Sequence, residues 1–223
     1  MINIIELKSM SFRYNKKSAN IFTDLNLEIP AQKFICLWGP SGSGKSTLLS
    51  IIGGIIKPNS GELVFQEQTI VKKNNRAIPD NSSWVTQSAN VFPSMTAQEN
   101  ATIAALAKGT PTSQAISLAK QSLTQLGIEE YAQVKARYLS GGQSQRVAIA
   151  RAITARCPLI LGDEPTGQLD RESTQLVVAG LRSSVTAGAS VIIASHDQNV
   201  AQACDIVFEV GGGKVVTQNK QVA

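Results

Sequence analysis

No stretch of this 223-residue chain approaches the run of about 20 apolar residues that a membrane-spanning helix needs. Its opening, Met1 to Met10, interrupts its apolar residues with Glu6 and Lys8 and lacks a basic start, so it does not read as a secretory leader. Cysteine is scarce: Cys36, Cys157 and Cys204 are an odd number with no motif spacing, which argues against a disulfide framework. Buried, reduced thiols are expected, as in the cytoplasm. Aromatic residues make up only 5% of the chain, too few for a surface that stacks the bases of a single strand. The net charge of +5 is spread thinly, with small groups at Arg13/Lys16/Lys17 and Lys72/Lys73/Arg76. A solvated basic surface accounts for these groups, and attraction to an anionic membrane face is the sharper alternative. No block is dense enough to argue for nucleic acid.

What is present is an ordinary globular balance, 43% hydrophobic and 17% charged, in a length that suits one domain. Leu25, Leu27 and Ile29 alternate with polar residues ahead of Pro30, as in a half-buried strand. Lys33 to Trp38 is a short apolar run ending at Gly39, and a helix is expected to open at Lys45 and stop near Gly53-Gly54. Glu62 to Phe65 and Ser83 to Gln87 read as strands with a polar loop between them. Thr96-Ala97-Gln98-Glu99 has the spacing of a capping box, and helix is expected from there to about residue 136, with Ile116, Ala119, Leu123 and Leu126 at helical spacing and Gly127 as a stop signal. Ser144 to Ala155 reads as helix, Leu159 to Leu161 as a buried strand, Glu172 to Ala187 as helix and Val191 to Ala194 as another strand. Asp205 to Val210 and Lys214 to Thr217, around Gly211-Gly212-Gly213, suggest a closing hairpin. Strands alternating with helices imply an α/β fold with a largely parallel sheet.

Three stretches carry chemistry. Gly39-Pro40-Ser41-Gly42-Ser43-Gly44-Lys45-Ser46-Thr47 fits the phosphate-binding pattern of Gly, four residues, then Gly-Lys-Ser, between a strand and a helix. Its glycines let backbone N–H groups close around phosphate oxygens, and the following helix adds its positive end. Lys45 is expected to reach the β- and γ-phosphates and the Ser46 hydroxyl to bind magnesium. The strand from Leu159 delivers Asp163 and Glu164 at its C-terminal end. In a parallel sheet that end lies beside the phosphate loop, so Asp163 is expected to hold magnesium through water and Glu164 to polarise the attacking water. The third stretch is Leu139-Ser140-Gly141-Gly142-Gln143. By itself this spacing is an ordinary helix cap, but a Ser-Gly-Gly turn opening a helix is also an anion site.

The order of these stretches, with Gln145-Arg146-Val147-Ala148-Ile149-Ala150-Arg151-Ala152 after the turn, resembles the ATP-binding cassette (ABC) ATPases over nearly the whole chain. The resemblance implies a P-loop NTPase core with an N-terminal antiparallel β subdomain and an inserted helical subdomain. The core would span about 1–90 and 157–223, and the helical lobe about 91–156. It further implies that Tyr14 stacks on adenine, that Gln87 senses magnesium and the partner, and that Glu164 and His196 form the catalytic pair. Asp170, in Gly167-Gln168-Leu169-Asp170, would serve cross-talk between subunits. Leu139 to Gln143 would contact the ATP of a second, identical subunit. Two positions depart from the family: Gly162, where a bulkier residue is usual, and Gln168, where the favoured subgroup has Asn.

The cofactors implied are ATP and Mg2+, and the partners a second ATPase subunit and a membrane permease, with no nucleic acid. The location implied is the cytoplasm, against the inner face of the membrane. The compact length, Gly53-Gly54, Gly167-Gln168-Leu169-Asp170 and Phe92-Pro93-Ser94-Met95-Thr96 look similar to the lipoprotein-release, macrolide-efflux and cell-division branch. Two other readings stand beside it. One is a soluble ABC ATPase of DNA repair or translation, which the single cassette without extended heptads disfavours. The other is a nucleotide-binding module without turnover, which the presence of Glu164 and His196 disfavours.

Overall fold

The computed structural model describes residues 2–66, 68–71 and 81–218. Two sheets organise them. The strands β1 (Asn3–Phe12), β2 (Phe22–Pro30), β4 (Ser60–Phe65) and β5 (Gln68–Val71) form an antiparallel sheet in the order β2-β1-β4-β5. The second sheet runs β10-β9-β3-β8-β7-β6, from β3 (Phe34–Trp38), β6 (Ser82–Val85), β7 (Leu159–Asp163), β8 (Ser190–Ser195), β9 (Ile206–Gly211) and β10 (Lys214–Gln218). Every pairing in it is parallel except the β9–β10 hairpin.

The short apolar runs are explained by what covers this sheet. A strand buried on both faces has no polar side to alternate with. On one face Ile35, Leu37, Leu159, Leu161, Ile192 and Phe208 pack with helix α1 (Lys45–Ile52) and the antiparallel sheet. On the other, Phe34, Cys36, Ile160, Val191 and Ile193 meet the remaining helices. These are α2 (Ala97–Ala107), α3 (Thr112–Gln125), α4 (Gly141–Thr154), α5 (Arg171–Thr186) and α6 (Gln198–Ala203). All three cysteines are buried thiols outside any disulfide. Among the described residues no helix is long and apolar enough to cross a membrane.

Several elements differ from the sequence expectations. The helix expected from Thr96 to about 136 is two helices. Gly109, at φ 80°, leaves the right-handed region, and Pro111 is the N-cap of α3, where its missing N–H costs nothing. Past Gly127 the chain makes only two short 3-10 turns, Glu129–Tyr131 and Ala136–Tyr138. Helix α4 opens at Gly141, not Ser144, because Ser140 caps it. Strand β6 ends at Val85, short of Gln87, where the Thr86 hydroxyl turns to donate to the Ser88 carbonyl at 2.6 Å. Strand β5 occupies part of the expected polar loop, and α6 has no counterpart among the expected helices. The Lys72/Lys73/Arg76 group lies outside the described residues.

Gly53, at the end of α1, has an ordinary φ of −81°, so its backbone would accept any residue. Its surroundings would not: a Cβ there would lie 2.0 Å from Cζ2 of Trp84 and 2.8 Å from Cδ1 of Leu161. Gly53→Ala is therefore expected to destabilise the protein by about 1–3 kcal/mol through overpacking. Urea unfolding measures this, and an unchanged midpoint would mean that Trp84 can withdraw without loss.

Candidate functional site

Four segments converge at one edge of the six-stranded sheet, because β3, β6, β7 and β8 are parallel and all end there. They are the Gly39–Gly44 loop after β3, Gln87 beyond β6, Asp163 and Glu164 at the end of β7, and His196 after β8. The crevice outside the carboxyl ends of parallel strands is where such folds bind ligands.

The phosphate loop is held tightly. A Cβ on Gly39, at φ 155°, would stand 2.4 Å from the Val210 carbonyl oxygen, so only glycine fits there. A Cβ on Gly42, at φ 79°, would meet nothing within 4 Å, so it is the left-handed turn and not crowding that calls for glycine. Lys45 is only 7% exposed, and its Nζ donates to the carbonyls of Gly39 at 2.7 Å and Pro40 at 3.0 Å. Pro40, Ser41 and Gly42 are exposed. Gly44 caps α1 through its backbone, in the left-handed region. Ser46 Oγ donates to Oδ1 of Asp163 at 2.8 Å. Thr47 Oγ1 and the Tyr14 hydroxyl share a hydrogen bond of 2.9 Å. Tyr14 lies just past β1, 63% exposed, with its ring set edge-on to Phe12.

Glu164 has φ 46°, a left-handed conformation that costs a non-glycine residue about 1–2 kcal/mol. Its N–H donates to the Ala194 carbonyl at 3.0 Å, and its Oε1 meets His196 Nδ1 at 2.9 Å. The carboxylate side chain is 15% exposed and the imidazole 64%. A nearly buried carboxylate thus rests against a ring that opens to solvent. Gly162 does not loosen the strand end: the β7–β8 register continues past it to Asp163↔Ala194. The space its side chain would fill is taken by Ile193 and Pro165, 3.1 and 3.2 Å from a Cβ.

Gln87 is exposed two residues beyond Val85, which pairs with Gly162. The Leu139–Gln143 turn sits elsewhere. Ser140 caps α4 in a complete capping box: Gln143 N–H donates to Ser140 Oγ at 3.2 Å, and Ser140 N–H to Gln143 Oε1 at 2.8 Å. Leu139 is half-buried against the helical core. No hydrogen bond among the described residues joins this turn to the phosphate loop or to Glu164. Its neighbours are Gln168 and Leu169: a Cβ on Gly141 would lie 3.6 Å from Gln168 Oε1, and one on Gly142 3.3 Å from Leu169 Cδ2. Asp170 caps α5, accepting from the Ser173 N–H at 2.7 Å and hydroxyl at 3.1 Å. The Ser173 N–H foremost, then its hydroxyl, hold the Asp170 carboxyl below its ordinary range.

The residues fit a nucleotide triphosphate with magnesium. Ser43 Oγ is buried without a partner among the described residues, a donor inside the loop that a phosphate oxygen would satisfy. Ser46 and Asp163 offer hard oxygen ligands side by side. Among the described residues no cluster of three His, Cys, Asp or Glu could hold a metal. A cation here would draw its other ligands from phosphate and water, which is the habit of Mg2+.

Comparison with known proteins agrees with this geometry. The ABC transporter family matches residues 22–167, and the chain belongs to that family. It is therefore an ATP-binding cassette ATPase, a class that takes ATP with Mg2+. Among its relatives is the macrolide export ATP-binding/permease protein MacB of Aggregatibacter actinomycetemcomitans, 36% identical over 99% of this chain. The chain spans only 36% of that relative's length. It covers 94% of an uncharacterised ABC transporter ATP-binding protein, YvrO of Bacillus subtilis (strain 168), at 33% identity and over 95% of this chain. The dimeric, post-hydrolysis structure of the ATP-binding cassette MJ0796 with ADP and Pi superposes with a TM-score of 0.85. That match has 30% identity and covers 98% of this chain and 100% of the other. These relatives are transporter cassettes, and they do not favour the DNA-repair or translation reading.

Sequence reasoning missed three features. The left-handed Glu164 has a weak signal in Pro165, which disfavours the right-handed helical region for the residue before it. The Tyr14–Thr47 bond has none, since it joins residues 33 apart. Gln145, 1% exposed, did leave a trace: it is a polar residue on the stripe that continues to Ile149 and Ala152.

Proposed function

We propose that this chain is the ATP-hydrolysing part of an export-type ABC transporter, working as a pair on a membrane-spanning permease. The observation that carries the reading is the Glu164–His196 hydrogen bond at the same sheet edge as the phosphate loop and the Ser46–Asp163 pair. Glu164 polarises the attacking water, and His196 orients Glu164 and faces the γ-phosphate. Lys45 leaves the loop carbonyls for the β- and γ-phosphate oxygens. The loop N–H groups from Gly39 to Thr47 and the Ser43 hydroxyl cradle the phosphates, and Tyr14 lies under the adenine. Ser46, Asp163 through water, and Gln87 would hold the magnesium, which when bound would neutralise charge on the phosphate oxygens.

The Leu139–Gln143 turn lies apart from this site, which is consistent with its serving the nucleotide of a second subunit. The N–H groups of Gly141 and Gly142, which the capping box does not use, are suited to a γ-phosphate presented from outside. ATP would favour the closed pair because it touches both faces, and ADP would lack that contact. Asp170, in the loop that leans on the same turn, would carry cross-talk between the sites. The helical lobe of about 91–156 would pass closing and opening to the permease, and the core of about 1–90 and 157–223 would bind the nucleotide. The working location would be the cytoplasmic face of the membrane. MacB, whose name joins cassette and permease for macrolide export, supports the export branch.

The test is a pull-down of the full chain with ATP and Mg2+ from detergent-solubilised native membranes, read by mass spectrometry. A multi-span protein with a large extracytoplasmic domain is expected. A partner made mostly of spans would move the reading to ordinary solute transport, and ribosomal or DNA-repair proteins alone would overturn it.

A further inference from the structure

Gln145 lies on the face of α4 that packs into the core and is 1% exposed, an uncommon place for an amide. Its Nε2 donates to the backbone carbonyl of Thr86 at 3.1 Å. Its Oε1 is buried without a hydrogen-bond partner among the described residues. An unpaired buried amide oxygen costs free energy that an apolar residue would avoid. What the glutamine gains in return is its hold on Thr86, the residue before Gln87.

Two more bonds run between the same elements. Arg151 Nη1 donates to the Asn90 carbonyl at 3.0 Å, and Ser83 Oγ donates to the Ala152 carbonyl at 3.2 Å. The end of β6 and the segment to Asn90 are therefore tied to α4 at three points, while Gln87 itself is exposed. Helix α4 is the one that opens with Ser140-Gly141-Gly142.

We infer that Gln145 is a positioning residue for Gln87: it sets the loop against the Asp163–Glu164 edge and makes Gln87 travel with the helix that carries the Ser140 turn. This rests on the reading of Gln87 as facing the magnesium. The Ser46–Asp163 pair supplies few protein ligands, so an outer residue held in one place has a large share in ordering the ion. Losing an outer-shell partner typically costs about 10–100-fold in metal affinity.

The experiment titrates Mn2+ by electron paramagnetic resonance into the full chain with a non-hydrolysable ATP analogue. It compares the wild type, Gln87→Ala, Gln145→Leu and the double variant. Each single variant is expected to weaken Mn2+ binding roughly 10-fold, with metal-free nucleotide affinity unchanged. The double variant is expected to be no weaker than either single one, because residues acting through one contact are not additive. Additive losses, a parallel fall in metal-free nucleotide affinity, or unchanged Mn2+ binding by Gln145→Leu would overturn the inference while leaving the reading of Gln87 intact. Unchanged Mn2+ binding by Gln87→Ala would overturn that reading and the inference with it. Should Gln145→Leu not fold, Arg151→Met frees the same loop at Asn90, and the same non-additive pattern with Gln87→Ala is expected; additivity there overturns the inference.

Discussion

Glu164→Gln is expected to bind ATP as the wild type does and to lose turnover by roughly 100-fold or more, the usual scale for a general base. The substitution keeps the shape of the side chain. An amide oxygen can still accept from His196 Nδ1, so the 2.9 Å contact survives in a neutral form. The backbone is left-handed at φ 46° with either residue, so the same strain is carried before and after. Only the negative charge goes, and with it the proposed means of polarising water. Phosphate release measures the loss, and equilibrium binding of ATP checks that the site is intact. If the proposed pairing holds, this variant with ATP and Mg2+ also accumulates as a dimer in light scattering. Wild-type phosphate release from a pure preparation would remove Glu164 from its role.

Lys45→Ala is the second large effect, and it falls on binding. The ammonium is nearly buried and holds two carbonyls of its own loop, Gly39 and Pro40. When phosphate arrives, the cation exchanges neutral carbonyl oxygens for charged ones at little cost in side-chain ordering, because the side chain is already confined. A hydrogen bond to a charged group contributes about 1.5–3 kcal/mol. Its loss is roughly a 10- to 150-fold weaker Kd for ATP. Alanine also leaves the loop carbonyls without their donor, so the apo protein is expected to unfold more easily. Calorimetric titration with ATP decides the matter: an unchanged Kd would mean that the loop N–H groups alone hold the phosphates.

The site is legible in the sequence wherever a signal is local. Strand, glycine loop and helix follow one another over Phe34 to Ile52, and each announces itself through apolar content or glycine. The capping boxes at Thr96/Glu99 and Ser140/Gln143 are readable from spacing and are both formed. The helix break at Gly109 and Pro111 is also written in residue types, but the helical spacing of Ile116, Ala119, Leu123 and Leu126 is the stronger signal and masks it. Ala119 and Leu123 lie in the buried face of α3, so the period is right, but both limits are wrong: the helix starts at Thr112 and stops at Gln125, well short of residue 136.

By itself the sequence determined the glycine loop, the strand ending in two carboxylates and the Ser-Gly-Gly cap, because each rests on residues close together in the chain, and their order along the chain determined the ABC ATPase class. Only the tertiary structure decided which of them meet. Ser46 reaches Asp163 across 117 residues, and Glu164 reaches His196 across 32. Both meetings follow from the strand order β3-β8-β7-β6, which is not the order in the chain. That order is set by how the two faces of the sheet bury their side chains against α1 on one side and α2 to α6 on the other. Burial is a property of the assembled layers, so no local pattern could have shown that Gln145 would hold the carbonyl of Thr86 or that the Tyr14 hydroxyl would meet Thr47.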